Sequence, residues 1–408
     1  MFNRTISLTP FLAIGLIGCS GTLDPIQDLP RALSQAEMQV IEASNDFAFN
    51  LMKEVDGQDT TGGNLFISPL SVSMALGMTM NGADGNTRAQ MENMLGFGGM
   101  SETQINEAYR DLIGLLLSLD PRVETNLANS IWYRDGWTFE RTFLQTNLDY
   151  FDARVEALDF TDPNSVNTIN GWVNQETRGK IPTIIESIPG DMVMYLINAV
   201  YFKGSWVYEF DKDRTAEGPF FREDGTSTQV PMMSHADEVD VFTLGTDVAN
   251  ILEMPYGGGA YRMTVVLPHE NVGIDSVMAV LDSGTWNDWT GRLDSTRVTV
   301  VMPKFTFEYE SNLNTVLQTL GMQDAFNSSL ADLSRMHASA GLFVSEVIHK
   351  TFVDVNEEGT EAAAATSVGI VETSLPPQFA VNRPFLFAIR ENFSGTILFI
   401  GKMMDPGL

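Results

Sequence analysis

The sequence predicts an α+β fold, and three observations lead there. Helical periodicity dominates the chain up to about residue 119. β-like runs dominate after it, and residues 385–402 read as a hairpin of two buried strands. No Pro/Gly/Ser linker divides residues 38–408, and no solenoid-like period repeats. The length of 408 residues alone suggests two or three domains. The missing linker argues instead for one large domain over 38–408.

Each element follows from local pattern. From Met38 to about Val55, the apolar positions Val40, Ile41, Phe47, Leu51 and Met52 form a helical stripe. Ser68-Pro69 opens a second helix with proline in its first turn, ending near Asn81-Gly82. Thr87–Leu95 and Glu102–Leu119 follow. The latter is amphipathic through Ile105, Tyr109, Leu112, Ile113 and Leu116. Thr125–Tyr133, Tyr195–Phe202, Tyr261–Leu267 and Arg297–Tyr309 alternate or run apolar, as strands do. Short helices are expected at Val166–Arg178 and Asn312–Leu320. Gly257-Gly258-Gly259 reads as a hairpin turn.

Composition narrows the function. Hydrophobic residues are 44% and charged residues 19%, enough apolar material for a core without disulfides. Acidic residues number 53 against 24 basic, a net charge of -29. That field repels phosphate backbones and anionic headgroups, so neither nucleic acid nor electrostatic membrane docking is expected. The single cysteine, Cys19, permits no disulfide within the chain and no paired-cysteine metal site. His235, His269, His337 and His349 are widely spaced, so no metal or cofactor is expected.

The start of the chain reads as an export signal. Arg4 precedes an apolar run of about ten residues, too short to span a hydrocarbon core of ~30 Å as a helix. Leu16-Ile17-Gly18-Cys19 resembles the lipobox of bacterial lipoproteins, in which the cysteine is lipidated and becomes the first mature residue. Residues 1–18 are then a signal peptide and 19–37 a tether containing Pro25 and Pro30. Ser20 after the cysteine favours the outer membrane or cell surface. The lipid on Cys19 is the expected membrane contact.

Catalytic motifs are missing. There is no G-x-S-x-G elbow, no H-E-x-x-H, and no serine three residues before any of the seven lysines. Gly395 to Lys402 has five residues between its glycines, four of them apolar, and reads as a strand, not a phosphate cradle. Asp211-Lys-Asp213 lacks the rest of a calcium loop. No enzyme is expected.

The informative stretch is 357–377. Ala362–Ala365 would favour a helix, but Gly359 before it and Val368-Gly369-Ile370-Val371 after it do not. With period two, one face carries Thr360, Ala362, Ala364, Thr366, Val368 and Ile370, all uncharged and small to β-branched. This is an exposed loop with a latent strand pattern.

Glu357–Thr366 resembles the hinge of the serpins, the serine protease inhibitor superfamily. The resemblance extends over about residues 40–408. It includes Asn64–Ser71, Asn198–Trp206, Val301–Phe305, His349-Lys350 and Phe379–Phe387. It implies three β-sheets, about nine helices and an exposed reactive-centre loop. It also implies a monomer that acts as a suicide substrate: the protease cleaves the loop, forms an acyl-enzyme, and is trapped when the loop inserts into the central sheet. The hinge would comprise Glu357, Gly359, Thr360, Ala362, Ala364 and Thr366. A shutter would comprise Ser68, Ser71, Asn198 and His349, and a breach Trp206, Lys304 and Glu357. Family spacing places the scissile bond sixteen residues beyond Glu357, at Thr373–Ser374. Cleavage after Glu372 would instead indicate a glutamate-specific protease.

Threonine at the bond, with Ile370 and Val371 before it, suits a shallow apolar pocket of elastase-like or subtilisin-like type. No Lys or Arg lies between Lys350 and Arg383, which disfavours trypsin-like targets. Arg110 is the one basic residue of the Glu102–Leu119 helix, so no heparin-like cofactor is expected. The alternative is a non-inhibitory serpin, a carrier or chaperone. For the anchor, a Cys19→Ala variant is expected to leave the membrane fraction, as fractionation of the producing cells would show.

Overall fold

The computed structural model describes residues 25–339, 341–360 and 377–408. These residues form nine α-helices and sixteen strands. In chain order they begin with α1 (Gln35–Gln58), β1 (Leu65–Ile67), α2 (Pro69–Met80), α3 (Gly85–Met94) and α4 (Glu102–Ser118). Then come β2 (Val123–Arg134), α5 (Arg141–Phe151), β3 (Arg154–Leu158), α6 (Asn164–Glu176) and β4 (Met194–Ser205). A run of strands follows: β5 (Asp211–Phe221), β6 (Ser227–Ser234), β7 (Val239–Gly245), β8 (Ala249–Tyr256) and β9 (Tyr261–Pro268). After α7 (Ile274–Val280) and α8 (Ser283–Gly291) lie β10 (Asp294–Pro303), β11 (Phe305–Asn312) and α9 (Asn314–Thr319). The chain finishes with β12 (Ile348–Asn356), β13 (Gly359–Thr360), β14 (Gln378–Ala380), β15 (Phe385–Glu391) and β16 (Ile397–Met403).

Local chemistry explains the helix starts. Ser34 accepts from the Glu37 amide while the Glu37 carboxylate accepts from the Ser34 amide, a capping box that begins α1 at Gln35. Ser101 and Gln104 repeat the device at α4. At α2, Pro69 supplies the first turn and the Ser68 hydroxyl accepts from the Ser71 amide.

The strands build three sheets. A six-stranded sheet has the order β11-β12-β13-β4-β2-β3. Of the other ten strands, nine lie along the path β1-β16-β15-β9-β8-β7-β10-β6-β5 and β14 pairs β10 off it, so that β10 serves two sheets. Its first half pairs β7, and its second half pairs β6 and β14. The expected single strand Arg297–Tyr309 is therefore two. Proline has no N–H for a ladder, and the chain changes sheet at Pro303-Lys304. Composition also hid β5 to β8, whose mixed polarity gives no clean alternation, and the amphipathic α5.

The six-stranded sheet is buried on both faces. Ile131 and Phe202 contribute to the main core, while their neighbours Trp132 and Ala199 join a second cluster with Ile169, Trp172 and Val173 of α6. Beneath the sheet, the buried Phe66 ring stacks between Phe387 and Phe399, at centroid distances of 5.5 and 5.0 Å. Phe66→Ala is expected to destabilise the protein by about 3–5 kcal/mol, read as a lower urea unfolding midpoint.

Candidate functional site

The site lies where the six-stranded sheet is interrupted. β13 is two residues long and sits between β12 and β4, antiparallel to both. Thr360 stands opposite Val355 on one side and Gly204 on the other. Among the described residues, no hydrogen-bonded pairing runs directly from β12 to β4. Directly below Thr360 the two strands border a narrow cavity of about 20 Å³, lined by Val200, Phe202, Phe352, Val353 and Phe66. That volume holds roughly one water-sized sphere, so small side chains suit it and long ones do not.

Glycine makes the hinge seat possible. A Cβ on Gly359 would lie 2.1 Å from the Gly204 carbonyl oxygen and 2.7 Å from Ser205 Cα. A Cβ on Gly204 would meet the Tyr256 ring at 3.0 Å. The two glycines let β13, β4 and the aromatic layer approach closely. Thr360 is 4% exposed, and its hydroxyl bonds the Tyr256 hydroxyl at 2.7 Å. Burial drives the Tyr256 phenol upward, with the Thr360 contact partly opposing it, so Tyr256 stays a neutral partner.

The approach to β13 is clamped from one side. The Trp206 amide donates to the Glu358 carbonyl at 2.9 Å, and the Phe210 amide to the Glu357 carbonyl at 2.8 Å. The Trp206 indole N–H donates to the Asn356 carbonyl at 3.0 Å. Its ring stacks on Tyr256 with centroids 4.3 Å apart. Lys304 Nζ donates to Glu357 at 2.9 Å, and the Thr215 hydroxyl to the same carboxylate at 2.8 Å. Lys212 pairs with Glu358. Burial alone would raise the Glu357 carboxyl, but Lys304, Thr215 and a backbone amide hold it below its ordinary value.

Farther down β12 lies His349, fully buried. The Ser68 amide donates to His349 Nε2 at 2.9 Å, and the Ser68 hydroxyl donates to the Leu398 carbonyl at 2.8 Å. Ser68, Ser71 and His349 are thus one linked group. Asn198 is not bonded to it. Its side-chain N–H donates to Asn129 Oδ1 at 2.7 Å, and its own Oδ1 is buried without a partner. The difference is physical: Asn198 lies on β4, on the far side of the gap from His349. Tyr256, Asn129, Thr215 and Lys212 belong to the site although the sequence did not single them out. Tyr256 precedes a recognisable glycine turn, but nothing local shows which hydroxyl it meets.

Ala362, Ala364, Thr366, Thr373, Ser374 and Cys19 lie outside the described residues. Among the described residues, no group of three or more His, Cys, Asp or Glu side chains is arranged to hold a metal.

A continuous match to the family described as serpin (serine protease inhibitor) covers residues 42–406. The chain belongs to the serpin family. It is 33% identical to Serpin B11 of Homo sapiens over 387 residues, 89% of this chain and 98% of that protein. Against the leukocyte elastase inhibitor of Homo sapiens it is 35% identical over 380 residues, 90% and 100% of the two chains. The thermophilic serpin tengpin in its native state superposes with a TM-score of 0.82 at 33% identity, covering 94% of this chain and 97% of that one. Thyroxine-binding globulin complexed with thyroxine gives 0.82 at 29% identity, covering 90% and 99%. Serpins are generally inhibitors of serine proteases rather than enzymes.

The buried histidine is expected to make this serpin sensitive to acid. Burial pushes the His349 imidazole down to about 4. An unfolded histidine titrates near 6.5. The folded state therefore disfavours the charged ring. Stability is complete above about pH 6.5 and falls as the pH drops from there toward about 4. Protonation also removes the Nε2 lone pair that accepts from Ser68. His349→Gln is expected to reduce the pH dependence of the unfolding midpoint between pH 6.5 and 5, leaving the contribution of His235, whose imidazole burial also lowers.

Proposed function

We propose that this serpin is a suicide-substrate inhibitor of serine proteases of elastase-like or subtilisin-like preference. One observation carries the reading. Thr360, the first residue of the uncharged face, is already seated between β4 and β12 with its side chain inward. Extending both ladders by their own register brings Ala362 opposite Phe202 and Val353, and Ala364 opposite Val200 and Thr351. Thr366 comes opposite Asn198 and His349. Strand side chains alternate, so these positions share the inward face of Thr360. Alanines then meet the narrow cavity, and a threonine hydroxyl arrives beside the orphaned Asn198 Oδ1.

The chemistry is that of an interrupted hydrolysis. The protease serine attacks the Thr373 carbonyl, the Thr373–Ser374 bond breaks, and the Ser374 amine leaves with the proton delivered by the protease base. The acyl-enzyme remains attached to Thr373. Insertion of the freed loop as a full strand completes the ladders on β4 and β12 and drags the protease before water can release it. The relation to the leukocyte elastase inhibitor supports an apolar-pocket target. We further propose that the protein acts as a monomer, without a heparin-like cofactor, held by lipid on Cys19 at a bacterial outer membrane or cell surface.

Mixed with an elastase, the protein is expected to give a covalent complex on a denaturing gel, and the released peptide to begin at Ser374 by mass spectrometry. Cleavage without complex would overturn inhibition, and a peptide beginning at Thr373 would move the bond. Thr360→Arg would bring an unpaired guanidinium against Tyr256, at a cost of at least a few kcal/mol. This variant is expected to be cleaved as a substrate, with about tenfold or more inhibitor consumed per protease trapped.

A further inference from the structure

The segment before α1 is packed on the body of the protein beside the hinge. Ile26 donates its amide to the Gly258 carbonyl at 2.8 Å. Ile26, Leu29 and Leu33 all pack against the main core. Arg31 clasps the buried Glu37 carboxylate with two hydrogen bonds of 2.9 and 2.5 Å, and donates also to the Asp111 carbonyl at 3.3 Å. These contacts hold 25–33 at both ends. No hydrogen-bonding rule of helix initiation requires them, since the Ser34 capping box already starts α1.

What the segment holds is the β8–β9 turn. Gly258 is confined between Ile26 and Arg122: a Cβ there would lie 2.9 Å from Ile26 Cδ1 and 2.3 Å from an Arg122 guanidinium nitrogen. The Gly258 amide also donates to Asp120 Oδ2 at 2.6 Å. One residue earlier, the Gly257 amide donates to the Ser205 carbonyl at 2.8 Å. Ser205 is the last residue of β4 and the partner of Gly359. One residue earlier again, Tyr256 bonds Thr360 and stacks on Trp206. Three successive residues of one turn therefore contact the N-terminal segment, the end of β4, and the hinge.

We propose that residues 25–33 are a positioning element for the hinge. Docked on the turn, they hold the end of β4 against β13 and set how readily β4 and β12 part to admit the loop. Releasing the segment frees the turn to move away from Ser205 and Thr360 together, because both contacts originate within two residues of Gly258. The consequence for protease trapping rests on the inhibitory reading above. The coupling itself does not, because it is measured without a protease.

The test is amide hydrogen exchange on the full-length chain carrying Ile26→Asp, with Ile26→Leu as the conservative control and deletion of residues 25–30 as the forced release. In the aspartate and deletion variants, exchange at Ser205, Gly359 and Thr360 is expected to rise about tenfold or more, a coupling of about 1.4 kcal/mol at that size. Amides of β15 and β16 stay at wild-type rates, and Ile26→Leu restores the hinge. The uninserted form is expected to convert faster on incubation at raised temperature. The proposal is overturned if the deletion leaves Gly359 and Thr360 as protected as in the wild type. It is equally overturned if exchange rises uniformly through the protein, which would make the segment a general stabiliser. Failure of elastase trapping with hinge exchange responding as expected would remove the inhibitory reading and leave the coupling intact.

Discussion

The rest of the structure depends on two residues wedged between β4 and β12. Gly359 and Thr360 complete ladders on both sides at one end of the gap, and among the described residues β4 and β12 are not paired to each other below. Backbone N–H and C=O groups left without partners in a buried sheet are costly, and a strand of matching register would satisfy them. Contacts lie at both ends of this gap: the Trp206 clamp above, and the Ser68–His349 link below.

Those contacts divide the labour by chemistry. Above, the hinge is gripped through backbone carbonyls, which any residue type would offer, and through Glu357 and Glu358, which their lysine partners orient. The Lys304 pair is partly exposed, so its Coulomb energy is screened, and its value lies in fixing the direction in which the chain enters the sheet. Below, a neutral histidine in an apolar surrounding accepts one amide bond. That bond joins β12 to the start of α2, so the strand cannot shift without unmaking it. Asn198, across the gap, is left with an unsatisfied carbonyl oxygen.

Most helices could be read from the sequence, because capping and amphipathic periodicity are local. Ser34, Ser101 and Ser68-Pro69 mark their starts with side chains that act within a few residues. The strands were legible only where they alternate or run apolar, as in β2, β4, β9, β15 and β16. β5 and β6 form the edge of their sheet and carry too many polar residues for a pattern to stand out. The break at Pro303-Lys304 was hidden for the opposite reason: both sides of it look like good strand, and only pairing decides that they serve different sheets.

The motifs of the chain place it among the serpins. The sequence by itself also determined the two-residue period that Thr360, Ala362, Ala364 and Thr366 share, and of these the structure describes Thr360, which faces inward. Only the tertiary structure decided what that face meets. Tyr256 lies 104 residues from Thr360 in the chain, Asn129 lies 69 from Asn198, and Ser68 lies 281 from His349. Contacts at such separations leave no local signature, because each side chain satisfies its own neighbourhood whatever the partner. The docking of Ile26 on Gly258 belongs to the same class: a glycine turn and an apolar residue in a proline-bearing segment are both ordinary until the fold brings them together beside the hinge.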